Sequence, residues 1–258
     1  MTAKADPGGF PQRKASEIPA VSGRQMRDIQ RIAQEDFGVD ILQIMENAGR
    51  SIATLALQML GGRSRGQRIV VLAGGGNKGG AGLVSVRHLV NWGFTVTPIL
   101  GEVESESSFA GRRQMQILRE SGIYDPGSEE PSEITLEEQL NSADLVIDAL
   151  VGYGLEGPPS GIAAALTELA SAAKRPILAV DVPTGVNAST GEVSRPAIQA
   201  CTTLSLDLPK RGLFDPQARS HVGEVYAADV GIPLRVHERL GITVTGIFNE
   251  GPIIRLKR

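Results

Sequence analysis

The sequence predicts an α/β fold in which a mostly parallel sheet is covered by helices on both faces. Three observations predict it. Apolar runs of strand length, such as Arg68 to Ala73, Asp144 to Leu150 and Pro176 to Val180, alternate with segments whose apolar residues recur every three or four positions. Glycine-rich turns separate the two kinds of segment. The carboxylates and glycine clusters fall just after the strands, at the end of the sheet where parallel α/β proteins bind their ligands.

From Ser22 to Leu60 the residues Met26, Ile29, Ile32, Ala33, Ile41, Ile44, Met45, Ala48, Ile52, Leu55 and Ala56 keep helical spacing. The stretch "FGVD" at 37–40 interrupts it, with Gly38 ending one helix and Asp40 placed to cap the next. After "GGRSRGQ" comes the strand Arg68 to Ala73, then a glycine loop, and helical spacing resumes from Ala81 to Trp92. A second strand runs from Thr95 to Leu100, which completes a βαβ unit with a right-handed crossover. The alternation continues with a helix near Ser107 to Ser121, the strand Asp144 to Leu150, a helix Gly161 to Ala173, and the strands Pro176 to Val180 and Cys201 to Leu206. "GEVYAADVGIP" at 223–233 reads as the last strand, and the acid- and proline-rich "YDPGSEEPSE" at 124–133 as a surface loop. Residues 1–21 read as a flexible tail, 22–233 as the folded domain and 234–258 as an extension.

A length of 258 residues suits one large domain with a proper core. With 26 basic and 29 acidic side chains, the net charge of -3 offers no general attraction to nucleic acid or anionic membrane, and neither is expected as a partner. Cys201 is the only cysteine, which excludes an internal disulfide; it reads as a small core residue and fits a reducing compartment. His88, His221 and His237 lack the spacing of a metal site. The opening segment lacks the apolar stretch of about 7–15 residues that marks a secretory signal. No apolar run reaches the roughly 18 residues of a membrane span, so a cytoplasmic protein is expected.

Three motifs carry chemistry. Gly74, Gly76 and Gly79 have the G-x-G-x-x-G spacing between a strand and a helix, where free backbone N–H groups attract phosphate or carboxylate. The same glycines would also serve a tight turn. The next strand ends without a clean ribose-binding acid, Glu102 being nearest, so hydride transfer is disfavoured. Asp148 ends an otherwise apolar strand, and Gly152, Gly154 and Gly157 let the backbone beyond it pass close to a ligand; a turn-stabilising Asp is the alternative. In "ILAVDVPTGVN", Pro183 and Gly185 bend the chain so that Asp181 and Thr184 can face one cavity, where a carboxylate suits proton transfer; capping is the alternative.

The glycine loop, "DALVGYGLEG" and "AVDVPTG", in this order, resemble the NAD(P)H-hydrate epimerase family, also called the YjeF N-terminal domain. "SGRQMRDIQRIA", "IMENAGRSIA", "LPKRGL" and "GEVYAADVGIP" extend the likeness over residues 22–233. The resemblance implies a Rossmann-like three-layer sandwich, dimeric, that interconverts the R and S epimers of NADHX and NADPHX, the hydrated damage products of reduced nicotinamide cofactors. It implies a separate dehydratase as functional partner and no organic cofactor, the nucleotide being substrate. By the same resemblance, substrate lies along Asn77, Lys78, Gly79, Gly80 and Ala81, along Gly152, Tyr153, Gly154, Leu155, Glu156, Gly157 and Pro158, and against Asp181, the catalytic acid and base. A potassium ion is implied near Lys78, Asp148 and Thr184.

The glycine loop departs from that family's usual Asn-Asn-Gly-Gly-Asp-Gly, reading Asn77-Lys78-Gly79-Gly80-Ala81-Gly82. Lysine has donors only and cannot coordinate potassium, so its ammonium is expected in the ion's place, bonded to Asp148 and Thr184. Ala81 removes a carboxylate; a lost polar contact costs about 1–3 kcal/mol, enough to weaken binding without abolishing turnover. Two readings stay open: an epimerase working through Asp181, and a catalytically impaired relative that keeps the pocket for nucleotide binding or scaffolding. Lys78 and Ala81 favour the second, Asp148 and Asp181 the first.

Overall fold

Two capped helices lead into the sheet. Ser22 and Gln25 form a reciprocal cap on α1 (Gly23–Glu35), with Gln25 N donating to Ser22 Oγ at 3.2 Å and Ser22 N to Gln25 Oε1 at 3.0 Å. Asp40 and Gln43 do the same for α2 (Ile41–Met59), where Leu42 N also donates to Asp40 Oδ1 at 2.7 Å. Gly38, at φ +69°, turns the chain between them, a conformation in which a Cβ would be strained. The computed structural model that shows this describes residues 9–102, 104–125, 132–154 and 157–258.

Along the chain the strands are β1 (Gln12–Lys14), β2 (Arg68–Ala73), β3 (Thr95–Leu100), β4 (Leu145–Ala149), β5 (Ile177–Val180), β6 (Thr202–Leu206), β7 (Glu224–Ala228) and β8 (Ile253–Lys257). The remaining helices are α3 (Asn77–Asn91), α4 (Phe109–Glu120), α5 (Glu133–Asn141), α6 (Gly161–Ala172), α7 (Arg219–Val222) and α8 (Leu234–Arg239). The strands form one sheet of order β1-β8-β7-β6-β5-β4-β2-β3, parallel throughout except between β7 and β8. Alternation along each central strand splits the core into two layers. Ile69, Val71, Ala73, Ile147 and Leu178 join the cluster under α1, α2 and α3, while Val70, Leu72, Val146 and Ala179 pack against Leu140 of α5 and Leu166 and Ala170 of α6. The result is a Rossmann-like three-layer α/β sandwich.

The strand order fixes where a ligand site can open. The chain passes from β2 outward to β3, then returns to place β4 on the other side of β2. The two crossovers therefore leave a crevice at the carboxyl ends of β2 and β4. Gly74 N donates to Ala149 O at 3.0 Å across that point and holds the two strand ends together.

Several expectations are corrected. Helix α3 starts at Asn77 rather than Ala81, so most of the glycine loop is the helix's first turn. Residues 12–14 of the expected tail pair with β8, and Ile18 and Val21 are buried. The strand at 224–228 is not the last, because β8 in the C-terminal extension pairs antiparallel with it. Cys201 is only half-buried. Of the loop expected at 124–133, residues 126–131 lie outside the described residues, while Ser132 caps α5, a helix the periodicity did not reveal.

Candidate active site

The glycines after β2 are set by backbone crowding. A Cβ on Gly79 would fall 1.7 Å from Gly74 O, and one on Gly74 would fall 2.0 Å from Leu150 O. The first turn of α3 is thus pressed directly onto the strand ends. Gly75 N donates to Glu102 Oε2 at 2.8 Å, so the chain's own carboxylate takes up this loop amide. The loop acts as a floor for a cleft of about 790 Å³.

Asn77, Lys78, Ala81, Gly152, Tyr153, Gly154, Pro158 and Asp181 line that cleft. Gly79 and Gly80 are absent from its walls, since their α-carbons turn toward Gly74 and Met45. Gly157, at φ +84°, is exposed beyond the cleft lining. Leu155 and Glu156 lie outside the described residues. Asp148 and Thr184 are fully buried beneath the floor rather than facing the cavity.

Lys78 joins these two layers. Its Nζ donates to Val182 O at 2.8 Å and Val151 O at 2.9 Å, and lies 3.3 Å from both Asp148 Oδ2 and Thr184 Oγ1. Thr184 Oγ1 donates to Asp148 Oδ1 at 2.6 Å and accepts from Val151 N at 3.1 Å, while Thr184 N donates to Asp148 Oδ2 at 2.8 Å. Every polar atom of the cluster has a partner, which is what allows a carboxylate and an ammonium to sit out of water. Burial pulls the Lys78 ammonium below its usual range, and the Asp148 and Asp181 charges oppose that pull. The place in which an alkali ion would sit is filled by Nζ, so these residues do not fit a potassium ion. Among the described residues no group of three or more His, Cys, Asp or Glu gathers as a metal site.

The second buried charge pair was not anticipated. Asp181 follows β5 at φ +65°, a left-handed conformation that Asp tolerates better than most residues, and its N donates to Leu204 O at 2.6 Å. Its Oδ1 accepts from Leu206 N at 3.2 Å and pairs with the fully buried Lys210 ammonium. Lys210 Nζ also donates to Leu206 O at 2.7 Å. Among the described residues no hydrogen bond reaches Oδ2, which lies 3.7 Å from where a Cβ on Gly152 would be, and Asp181 is one of the residues lining the cleft. The Tyr153 hydroxyl donates to Gln30, and its ring lies 5.9 Å from Lys210 Nζ. Burial, with the Asp181 charge behind it, raises the Tyr153 phenol further above its ordinary range. The signal for Lys210 was its place in "LPKRGL", in the segment that follows β6 as Asp181 lies in the segment that follows β5, though four residues past its strand rather than one.

The chain has clear relatives. A family model described as YjeF-related protein N-terminus matches residues 41–212. An NAD(P)H-hydrate epimerase of Dehalogenimonas lykanthroporepellens is 38% identical over 250 residues, 96% of this chain and 96% of the relative. Another, of Rhodopirellula baltica, is 30% identical over 226 residues, 88% of this chain and 90% of the relative. A bifunctional NAD(P)H-hydrate repair enzyme Nnr of Moorella thermoacetica is 32% identical over 84% of this chain, which spans 41% of that relative's length. The crystal structure of the yeast protein ynu0 superposes with a TM-score of 0.76 at 25% identity, covering 93% of this chain and 100% of the yeast chain.

Proposed function

We propose, from the premise that this chain belongs to the family of YjeF-related N-terminal domains, that it is an isomerase interconverting the R and S epimers of hydrated NADH and NADPH. The observation that carries this reading is the state of Asp181, a residue of the cleft lining whose Oδ1 is held by Lys210 and Leu206 N.

Epimerisation requires the hydroxyl on the hydrated ring carbon to leave one face and return to the other. In the first half, the Asp181 carboxylate takes up a proton from solvent and passes it to that hydroxyl, the C–O bond breaks with its electron pair going to oxygen, and water departs. The ring is left cationic, with the neighbouring nitrogen sharing the charge. The Asp181 carboxylate, fixed beside it, stabilises the cation. In the second half, water adds to the opposite face and Asp181 takes the released proton and returns it to solvent, so the enzyme is again a carboxylate paired with Lys210 at the end. Tyr153 and the backbone at Gly152 and Gly154 flank the ring, and Asn77 and Ala81 on the first turns of α3 face the rest of the nucleotide. The two departures that favoured an impaired relative leave this chemistry intact. Lys78 completes the buried cluster under the floor, and Ala81 lines the cleft while Asp181 keeps its own partners, Lys210 and Leu206 N.

The family relation and the bifunctional relatives support placing the enzyme beside a dehydratase that consumes the S form, and we take it to act as a cytoplasmic homodimer. The deciding experiment supplies purified R-NADPHX and follows appearance of the S epimer by chromatography against the spontaneous rate. The protein should exceed that rate by orders of magnitude, and Asp181→Asn should lose roughly 10²-fold or more. A wild-type rate equal to the spontaneous one overturns the isomerase reading; a fully active Asp181→Asn overturns the role of Asp181.

A further inference from the structure

Four oxygens surround the Lys78 nitrogen, from Val151, Val182, Asp148 and Thr184. Two are backbone carbonyls that can only accept. The Thr184 proton is committed to Asp148, so its oxygen also presents a lone pair to the centre. A shell of carbonyl, hydroxyl and carboxylate oxygens with one net negative charge is what an alkali cation requires. A neutral amine would direct its lone pair at one of these oxygens, whereas an ammonium offers three protons to the shell. An ammonium and a potassium ion carry the same charge at closely similar size.

We propose that the Lys78 ammonium is a tethered, permanent replacement for a potassium ion, so that neither the stability nor the turnover of this protein responds to potassium. The nitrogen fills the centre of the shell, and its charge repels a second cation from the same oxygens. The tether cannot swing aside, because the stem is buried beneath Gly152, whose Cβ would stand 3.3 Å from Lys78 Cδ. From α3 the ammonium clasps the end of β4 at Asp148 and Val151 and the chain beyond β5 at Val182 and Thr184, so one side chain pins three crossovers under the cleft. An ion would do this only when bound; a covalent cation does it at every ionic composition.

Removing the tether should expose the shell. Lys78→Asn vacates the centre and adds an amide oxygen at its rim, so this variant should acquire the potassium response that the wild type lacks. The inference concerns the same site as the isomerase reading but stands on the shell alone. Its first readout is the thermal midpoint of the full chain, which needs no epimerase activity, so a failure of this inference and a failure of the isomerase reading can be told apart.

Midpoints of wild type and Lys78→Asn are measured in choline, sodium and potassium chloride at equal ionic strength, with R-NADPHX turnover measured in parallel. The wild type should give one midpoint and one rate in all three salts. Lys78→Asn should melt lower in choline and rise by about 5 °C or more in saturating potassium. A variant that folds only in potassium supports the inference equally. A wild-type midpoint or rate that rises selectively with potassium overturns it, and so does a Lys78→Asn variant that is indifferent to potassium or folds in none of the salts.

Discussion

Asp181 and Lys210 show what a single residue contributes when its neighbours are fixed. Both are buried, Lys210 completely, and each is the other's counter-charge. Removing one partner of such a pair leaves an uncompensated charge out of water, at a cost of about 3–5 kcal/mol, while removing both is far cheaper. Lys210→Met should therefore lower the thermal midpoint sharply and slow epimerisation, because Asp181 Oδ1 loses the contact that orients it. Lys210→Met combined with Asp181→Asn should melt higher than Lys210→Met alone. Additive losses in that double-mutant cycle would show that the two groups are not energetically coupled. Asp148, Asp181 and Thr184 were legible in the sequence because each stands out at the polar end of an apolar run. Lys210 was not, since a lysine inside "LPKRGL" has the composition of a surface turn. Nor did the sequence separate the layers: Asp148 and Thr184 lie under the floor, and only Asp181 of the three faces the cleft.

At the scale of elements, the first turn of α3 is where local propensity and the fold disagree. Gly79, Gly80 and Gly82 are poor helix formers, which is why the apolar pattern suggested a start at Ala81. They are needed because the helix is pressed against the strand ends. The two neighbouring glycines should nonetheless respond in opposite ways to a methyl group. On Gly79 it would meet Gly74 O at 1.7 Å, backbone against backbone, with nothing free to move. On Gly80 it would meet Met45 Cε at 2.5 Å, the far end of a flexible side chain that can shift. Gly79→Ala should cost about 3 kcal/mol or more and reduce soluble yield. Gly80→Ala should stay within roughly 1 kcal/mol of wild type, since the helix propensity gained offsets the repacking of Met45. Denaturant melts of the pair check this, and equal losses would mean that the loop can slide off the strand ends. Helix α5 escaped the sequence for a different reason: of its residues only Leu140 is buried and Ile134 is exposed, so it carries almost no apolar face.

At the scale of the whole molecule, the two ends of the chain close one side of the sheet. β8 lies between β1 and β7, and Arg255 pairs with Glu224 of β7 at 2.8 Å. The sequence could not disclose this, because "IIRLKR" is too short for a period to be read and its partners are either residues 12–14, far away in sequence, or a strand about thirty positions earlier. Ile253, Ile254 and Leu256 are buried to within 4% of full enclosure. At about 1.5–3 kcal/mol for each apolar side chain removed from water, these three contribute at most roughly 5–9 kcal/mol. That is comparable to the entire stability of an ordinary domain, about 5–15 kcal/mol. Deleting residues 252–258 should therefore do more than shorten a tail. It would leave β1 without its partner and expose the edge of β7, where Val225, Tyr226, Ala227 and Ala228 form a buried apolar strand ready to pair with another copy. The truncated chain is expected to aggregate or to melt without a cooperative transition, even though the catalytic cleft lies at the distant β2–β4 crevice. If instead it melts at the wild-type midpoint and stays soluble, the terminal strand is an ornament on a sheet that is already complete at β7, and the burial of its three apolar side chains adds nothing that the rest of the core does not supply.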